Sequence, residues 1–288
     1  MWIGSKFYIY TAAIGGNPTV AAIFSGVNMN IRFTETQWER MTNHVKEYYD
    51  EIGRVNDAFH NGMLFGGTCY AVGIDGISAG FVSVSDGWDG GKMLTGFHLT
   101  VNYRSAAGDV LMTLIRDYDV RAALTATNDK EFCSVIMRVP SGTFRTQAYN
   151  YTYGEPDKPA DFPAECLTEI RADELERLDS ETDSQWSDCL HDPALHFYKL
   201  EKDGEILGYG AYCTMPFNEG YADIGNFTLP QYRRKGVGRS ILIHLAQVVR
   251  SKGLEPVAGC WAGNMESIPT IRSAGFIPEN KLCYVQFD

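Results

Sequence analysis

Three features are scarce or missing in this sequence. Its seven cysteines include no Cys-x-x-Cys pair, and its six histidines show no metal-ligand spacing. An odd number of scattered cysteines is typical of reduced thiols, so we expect a cytoplasmic protein. Because neither residue type shows a metal-ligand spacing, we expect no metal site. Lys and Arg number only 25 against 36 Asp and Glu, a net charge of −11. Nucleic-acid binding depends on a basic surface, so this charge argues against a nucleic-acid partner.

A long apolar run is also missing. Residues 7–30 carry no charge, but Gly15-Gly16-Asn17-Pro18 interrupts them and would break a signal helix. The segment is too polar to span a membrane. We therefore expect a strand or hairpin here and no membrane partner.

The length and composition predict two globular domains. The chain has 288 residues, of which 44% are hydrophobic and 21% charged, and such a chain can bury two separate cores. Three prolines lie between Gly154 and Pro163, which is typical of a linker. The predicted domains are residues 1–153 and 164–288, joined by 154–163.

An internal repeat supports this division. Asp75-Gly76 and Asp203-Gly204 each predict a hairpin turn, at an offset of 128 residues. Tyr103-Arg104 and Tyr232-Arg233 recur at nearly the same offset. This order predicts two copies of one fold, with two unrelated α/β domains as the alternative.

The most informative segment is Thr228 to Ser240, in which an apolar strand leads into a basic turn with Gly236 and Gly238. The following residues have apolar side chains at helical spacing up to a stop at Gly253. The first N–H groups of a helix have no partner within the helix, and its dipole favours an anion there. A glycine turn lets the anion approach the backbone, so the segment predicts a phosphate site. The alternative is an ordinary tight turn with a solvated basic rim.

A second motif follows a predicted strand at Pro256 to Trp261. Asn264-x-x-Ser267 opens a short predicted helix that Gly275-Phe276 closes. With Arg233-x-x-Gly236-x-Gly238, this pair resembles the two motifs of the GNAT superfamily of N-acetyltransferases. The resemblance covers residues 165–288. It implies an α/β (α+β) fold of two GNAT-like domains, each a mixed, mostly antiparallel, twisted sheet flanked by helices.

The resemblance also implies a cosubstrate, acetyl-CoA, and direct transfer of its acetyl group to a primary amine of a small molecule or peptide. Its pantetheine arm would lie along Phe227-Thr228-Leu229, with the Leu229 N–H as the oxyanion donor. The residues expected to bind acetyl-CoA are Phe227, Thr228, Leu229, Arg233, Arg234, Lys235, Gly236, Val237, Gly238, Arg239, Asn264 and Ser267. We expect a monomer or a homodimer.

Acetyl transfer requires that the amine lose a proton, because a free alkyl amine has a pKa of about 10. Asp223 or Glu219 could accept the proton, and we prefer Asp223 because it is closer to Phe227 along the strand. Ile271 stands where many relatives carry a tyrosine that protonates the leaving thiolate. That proton would come from water, from Ser267 or from a residue elsewhere such as Tyr284, or the reaction would proceed without a dedicated acid. Cys260 in the predicted strand could form an acetyl-cysteine, but a buried core thiol is the more common role of such a residue.

The first copy has a degenerate form of the motif. Its turn has one glycine, Gly108, followed by Asp109, whose carboxylate would repel a pyrophosphate. Its next strand is predicted at Cys133 to Val139, without the second motif. We therefore expect acetyl-CoA only in the C-terminal half. The alternative to an enzyme is a non-catalytic acetyl-CoA-binding sensor or regulator.

Overall fold

The computed structural model describes residues 29–139 and 142–287, so most of the predicted strand or hairpin at 7–30 lies outside the described residues. The strands are β1 Ile31–Glu35, β2 Thr68–Ile74, β3 Ile77–Asp86, β4 Lys92–Leu99, β5 Val120–Ala126, β6 Thr143–Tyr153, β7 Leu167–Glu169, β8 Leu195–Lys202, β9 Glu205–Thr214, β10 Tyr221–Thr228, β11 Glu255–Trp261 and β12 Phe276–Gln286. The α-helices are α1 Thr42–Ile52, α2 Ala58–Gly66, α3 Ala107–Asp117, α4 Lys130–Ile136, α5 Leu175–Glu181, α6 Val237–Ser251 and α7 Ser267–Ser273. None of these helices is long and apolar enough to cross a bilayer.

The described residues form two units, and the chain passes between them more than once. The C-terminal unit comprises Thr146–Leu282 together with Ile52–Gly62. The N-terminal unit comprises 29–51, 63–139, 142–145 and 283–287. Strands β6 and β12 therefore contribute residues to both units. The linker predicted at 154–163 belongs to the C-terminal unit by its contacts.

The N-terminal unit contains a sheet with the strand order β1-β2-β3-β4-β5. The first four strands are antiparallel neighbours, whereas β4 and β5 are parallel. Strands β2 and β3 are joined by the predicted turn, in which Asp75 and Gly76 have φ of 50° and 84°. Two successive left-handed residues suit a two-residue hairpin. Helices α3 and α4 pack on this sheet over one apolar core.

One prediction in this unit is wrong. The strand predicted at Cys133 to Val139 is largely α4, and the next strand of the copy is β5. The carboxylate of Asp129 accepts the N–H of Phe132 at 2.9 Å and so caps the helix. Phe132, Val135 and Ile136 are buried at helical spacing. The apolar run alone fits a strand, and the cap at Asp129 is the feature that makes it a helix.

The C-terminal unit contains a sheet with the strand order β6-β11-β10-β9-β8-β7. Strands β7 to β10 are antiparallel neighbours, and β10 and β11 are parallel. Asp203 and Gly204 form the predicted hairpin turn between β8 and β9, with φ of 54° and 82°. Each unit thus has a mixed, mostly antiparallel sheet flanked by helices, as the sequence predicted.

Helix α6 packs along the face of β9 and β10. Its predicted apolar stripe is buried, with Ile241, Leu245 and Val249 all fully enclosed. Burial of one such side chain contributes about 1.5–3 kcal/mol, so this stripe fixes the helix on the sheet. The helix ends at Ser251, and Gly253 follows the C-cap residue Lys252 with φ of 77°, the left-handed stop that the sequence predicted.

Candidate active site

The site is built where two parallel strands separate. Strand β10 pairs with β11 only at Tyr221, Ala222 and Asp223. Strand β10 then continues to Thr228 beside β9, while β11 turns to pair with β6. Among the described residues, this separation leaves one edge of β10 without a strand partner over its last five residues. An exposed strand edge can pair with the amide groups of an extended ligand.

The glycine turn lies directly after this opened strand. Gly236 has φ of 79° and precedes the first residue of α6. A Cβ at Gly238 would lie 2.8 Å from Asn226 Nδ2 and 3.1 Å from Thr228 Oγ1, so the helix approaches β10 closely there. Arg233, Arg234 and Lys235 are exposed around the turn, whereas Val237 is buried. The backbone therefore offers an anion site with a basic rim, and the residues present fit a pyrophosphate.

A carboxylate from the predicted linker lies beside this turn. Asp161 Oδ2 is 2.5 Å from Arg239 Nη2, and a Cβ at Gly236 would be only 1.7 Å from the same oxygen. The N–H groups of Asp161 and Phe162 both donate to Ser240 Oγ on α6, at 2.9 and 3.2 Å. The linker thus places a negative charge where the sequence predicts an anion. This contact was missed because a linker carries no signal of what it covers.

The direction of the backbone corrects one predicted role. The Leu229 N–H donates to the Leu207 carbonyl at 3.1 Å and therefore points toward β9. Because N–H groups alternate along a strand, those of Asn226 and Thr228 point to the opposite, opened side. The Leu229 N–H is thus engaged within the sheet and does not face the side where we expected it as an oxyanion donor, whereas these two N–H groups lie on the unpaired side. Phe227 and Leu229 are buried, with their rings and methyl groups in an apolar cluster.

Asp223 lies at the point where β10 and β11 separate, and it is only 3% exposed. Its Oδ2 accepts the N–H of Ala58 at 3.1 Å. Next to Ala58, the side chain of Asp57 lies against β11, where a Cβ at Gly259 would be 1.7 Å from Asp57 Oδ2. Burial raises the pKa of Asp57 above its usual value. Asp223 therefore accepts the backbone N–H of the residue that directly follows Asp57, and both carboxylates are buried.

Asp57 was missed because it is 166 residues before Asp223 and no local motif marks it. The segment Ile52–Gly62 is fixed by several bonds to the C-terminal unit. Asn280 Nδ2 donates to the Val55 carbonyl at 2.7 Å, and Asn218 Nδ2 donates to the Arg54 carbonyl at 3.1 Å. These contacts place Asp57 beside β11 independently of its own side chain.

The other predicted proton-transfer residues have different surroundings. Glu219 is exposed in the turn before β10. Tyr284 belongs to the N-terminal unit, where its hydroxyl donates to Asp89 Oδ2 at 2.9 Å and its ring stacks on Trp88. Burial raises the pKa of Tyr284 to about 12.

The second motif forms as predicted. Asn264 Oδ1 accepts the N–H of Ser267 at 3.1 Å, at the start of α7. Arg233 Nη1 lies 3.7 Å from Glu266 Oε2, between the two motifs. Ile271 is buried in the core of the unit and offers no proton. Cys260 is also buried there, and burial raises the pKa of its thiol, which disfavours an acetyl-cysteine.

The N-terminal unit repeats the strand separation without the glycine turn. Strand β4 pairs with β5 only at Lys92, Met93 and Leu94 and then continues to Leu99. The segment that follows is a 3₁₀-helix, Val101–Ala106, that runs directly into α3. Gly108 lies inside α3 and Asp109 is in its first turn. Among the described residues, the connection from β4 to α3 therefore lacks a left-handed glycine turn of the kind that contains Gly236 in the second copy.

Comparison with protein families gives two matches in tandem. The acetyltransferase (GNAT) family matches residues 161–276, and an acetyltransferase (GNAT) domain family matches residues 37–154. These matches confirm the two copies of one fold. No curated protein matches the chain significantly.

Solved structures show the same fold. A GNAT-family acetyltransferase from Colwellia psychrerythraea is 19% identical, with a TM-score of 0.75 over 90% of this chain and 100% of its own. A GCN5-related N-acetyltransferase from Sphaerobacter thermophilus is 12% identical, with a TM-score of 0.57 over 90% and 95% of the two chains. A tandem GNAT protein from the clavulanic acid biosynthesis pathway is 14% identical, with a TM-score of 0.53 over 90% and 98%. The chain belongs to the GNAT acetyltransferase family, as a tandem of two GNAT domains.

Proposed function

We propose that the C-terminal unit is an N-acetyltransferase that uses acetyl-CoA and a primary amine of a small molecule or peptide. The observation that carries the proposal is the opened edge of β10 leading directly into the glycine turn of α6. Acetyl-CoA would supply a thioester-activated acetyl group. The N–H groups at the start of α6, with Arg233, Arg234, Lys235 and Arg239, would bind its pyrophosphate.

The opened edge of β10 would position the acyl group. The N–H groups of Asn226 and Thr228 face this edge and can pair with the pantetheine amides or with the carbonyl oxygen of the thioester. A donor directed at that oxygen stabilises the negative charge that develops during attack by the amine. The residues of the second motif, Asn264 and Ser267, shape the start of α7 beside this edge.

We propose Asp223 and Asp57 together as the route for the proton of the attacking amine. Ala58 N–H orients Asp223, and the raised pKa of Asp57 makes it a better proton acceptor than an ordinary exposed carboxylate. Because Asp223 is buried, a water molecule would connect it to the amine. The exposed Glu219 remains the alternative acceptor.

Calorimetric titration with acetyl-CoA tests the binding step. Arg234 is exposed beside the glycine turn, so Arg234→Glu changes the charge without disturbing the core and should weaken binding about tenfold or more. Lys252→Glu makes the same change just after the opposite end of α6 and should leave binding unchanged. Equal affinities in wild type and Arg234→Glu would contradict the proposed pyrophosphate site.

Release of the CoA thiol in the presence of a panel of primary amines tests the transfer step. Asp223→Asn should lower the rate about 10²–10⁴-fold if this carboxylate collects the proton. Asp57→Asn should instead change the pH profile of kcat/KM, and Glu219→Gln should change neither quantity. Tight binding without thiol release for any amine would show that the unit is a non-catalytic acetyl-CoA-binding module.

A further inference from the structure

A cluster of histidine and glutamate side chains lies on the opened part of β4 in the N-terminal unit. It consists of His44 and Glu47 on α1 and His98 on β4. One ligand atom from each residue lies within 4.8 Å of the other two. His44 and Glu47 are three residues apart and so share one face of α1. His98 comes four residues after the last pairing of β4 with β5.

His98 is the buried member of this histidine–glutamate cluster. Its side chain is 1% exposed, and its Nε2 has no hydrogen-bond partner among the described residues. This nitrogen lies 3.6 Å from Glu47 Oε2, which is too long for a hydrogen bond. A buried ring nitrogen and a carboxylate oxygen therefore face each other without a hydrogen bond between them.

His44 presents a second nitrogen to the cluster. Its Nε2 lies 3.0 Å from Ser78 Oγ, which can accept the ring N–H. That tautomer leaves a lone pair on Nδ1, which is buried and has no hydrogen-bond partner among the described residues. A histidine whose other nitrogen is hydrogen-bonded in this way is the usual arrangement around a bound metal ion.

The charges around the cluster leave Glu47 available. Arg104 forms ion pairs with Glu51 and Glu131, on the Nδ1 side of His98. Among the described residues, Glu47 has an ionic contact only with His98. Two ligands that are each about 2.1 Å from a metal ion, at tetrahedral to trigonal angles, lie about 3.4–3.6 Å apart. The separation of His98 Nε2 and Glu47 Oε2 falls in this range.

We propose that His44 Nδ1, Glu47 and His98 Nε2 bind one divalent transition-metal ion in the N-terminal unit. Two imidazoles and one carboxylate suit Zn²⁺ or a similar ion, and three protein ligands leave one position for water or a further ligand. The sequence showed no such spacing because the third ligand comes from a strand 51 residues after Glu47. The N-terminal copy would thus bind a cation at the strand end where the C-terminal copy is proposed to bind a thioester.

The test is metal binding by the full chain after removal of metal by chelation. Zn²⁺ affinity is measured by competition with a chromogenic chelator, and Co²⁺ is added separately so that its visible absorption shows the ligand type. We expect one equivalent in the wild type and at least about tenfold weaker binding in Glu47→Gln and in His98→Ala. Glu47 is partly exposed, so its variant keeps the test valid even if His98→Ala unfolds.

His196→Gln is the matched control. His196 Nδ1 also lies 3.6 Å from a glutamate oxygen, that of Glu169, but the pair is exposed and no third ligand joins it among the residues that the structure describes. Glu131→Gln should likewise keep the metal, because this carboxylate is paired with Arg104. The proposal is overturned if the wild type does not bind, if Glu47→Gln binds as tightly as the wild type, or if Co²⁺ gives the near-ultraviolet band of thiolate ligands.

Discussion

The carboxylate of Asp161 competes with the anion that the glycine turn is proposed to bind. Asp161 Oδ2 is paired with Arg239 Nη2 and lies against Gly236, whose φ of 79° shapes the turn. A bound pyrophosphate would meet this negative charge and would have to take Arg239 from it. Asp161→Asn removes the charge and retains the size of the side chain, so we predict tighter binding of acetyl-CoA.

The magnitude follows from the exposure of the pair. The side chains of Arg239 and Asp161 are 19% and 38% exposed, so solvent screens their interaction in part. Ion pairs of this kind contribute about 0.2–1 kcal/mol. The expected gain is therefore about 1.5- to 5-fold in affinity at low salt. It should decrease as the ionic strength rises and the Debye length falls to about 3 Å at 1 M.

The assay is calorimetric titration with acetyl-CoA at three salt concentrations. Asp157→Asn removes a charge from the same linker at an exposed position, and it should leave the affinity unchanged. The backbone bonds of Asp161 and Phe162 to Ser240 Oγ do not involve the altered carboxylate, so the linker should remain in place. Weaker binding in Asp161→Asn would refute the competition and would mean that Asp161 orients Arg239 for the ligand.

Two further predictions concern stability. Gly259→Ala should destabilise the protein by about 1–3 kcal/mol in urea unfolding, because its Cβ would lie within 2.6 Å of Oδ2, Cγ and Cβ of Asp57. Gly62→Ala, where a Cβ meets nothing within 4 Å, should not destabilise, and equal effects would contradict the packing. Burial raises the pKa of Asp129 to about 7, whereas an unfolded aspartate titrates at pH ~4. The folded state therefore binds a proton more tightly than the unfolded state, and the free energy of unfolding decreases as the pH rises from ~4 to ~7. Asp129→Asn keeps an oxygen that can cap Phe132, and its free energy of unfolding should exceed that of the wild type at pH 8 but not at pH 4. The same difference in free energy at both pH values would refute this reasoning.

The parts of the fold that the sequence predicted correctly depend on local signals. Asp75-Gly76 and Asp203-Gly204 form their turns because two left-handed residues fit only a few sequences. The glycine turn and α6 were predicted because the glycine, the basic rim and the apolar stripe lie within one short segment. The wrong strand prediction at α4 also concerns a local signal, because Asp129, which caps this helix, directly precedes it in the sequence.

The parts of the site that the sequence did not predict depend on contacts between distant residues. Asp57 reaches Gly259 and Asp161 reaches Gly236 across long stretches of chain, and neither contact has a local pattern. The Leu229 N–H was assigned the wrong direction because its orientation depends on the register with Leu207 in the neighbouring strand. Register and long-range packing follow from the whole sheet and not from a motif.

The two copies show how one strand arrangement can be adapted to different ligands. Both have a parallel pair that separates after three pairings, β4 from β5 and β10 from β11. In the C-terminal copy the strand leads into a left-handed glycine and exposed basic residues, which favour an anion. In the N-terminal copy it leads into a 3₁₀-helix and Asp109, and its unpaired part carries the buried His98 with a carboxylate facing it. The reversal of charge at equivalent strand ends is a physical reason to expect a cation in the first copy, and it implies that loss of the cradle need not mean loss of a site.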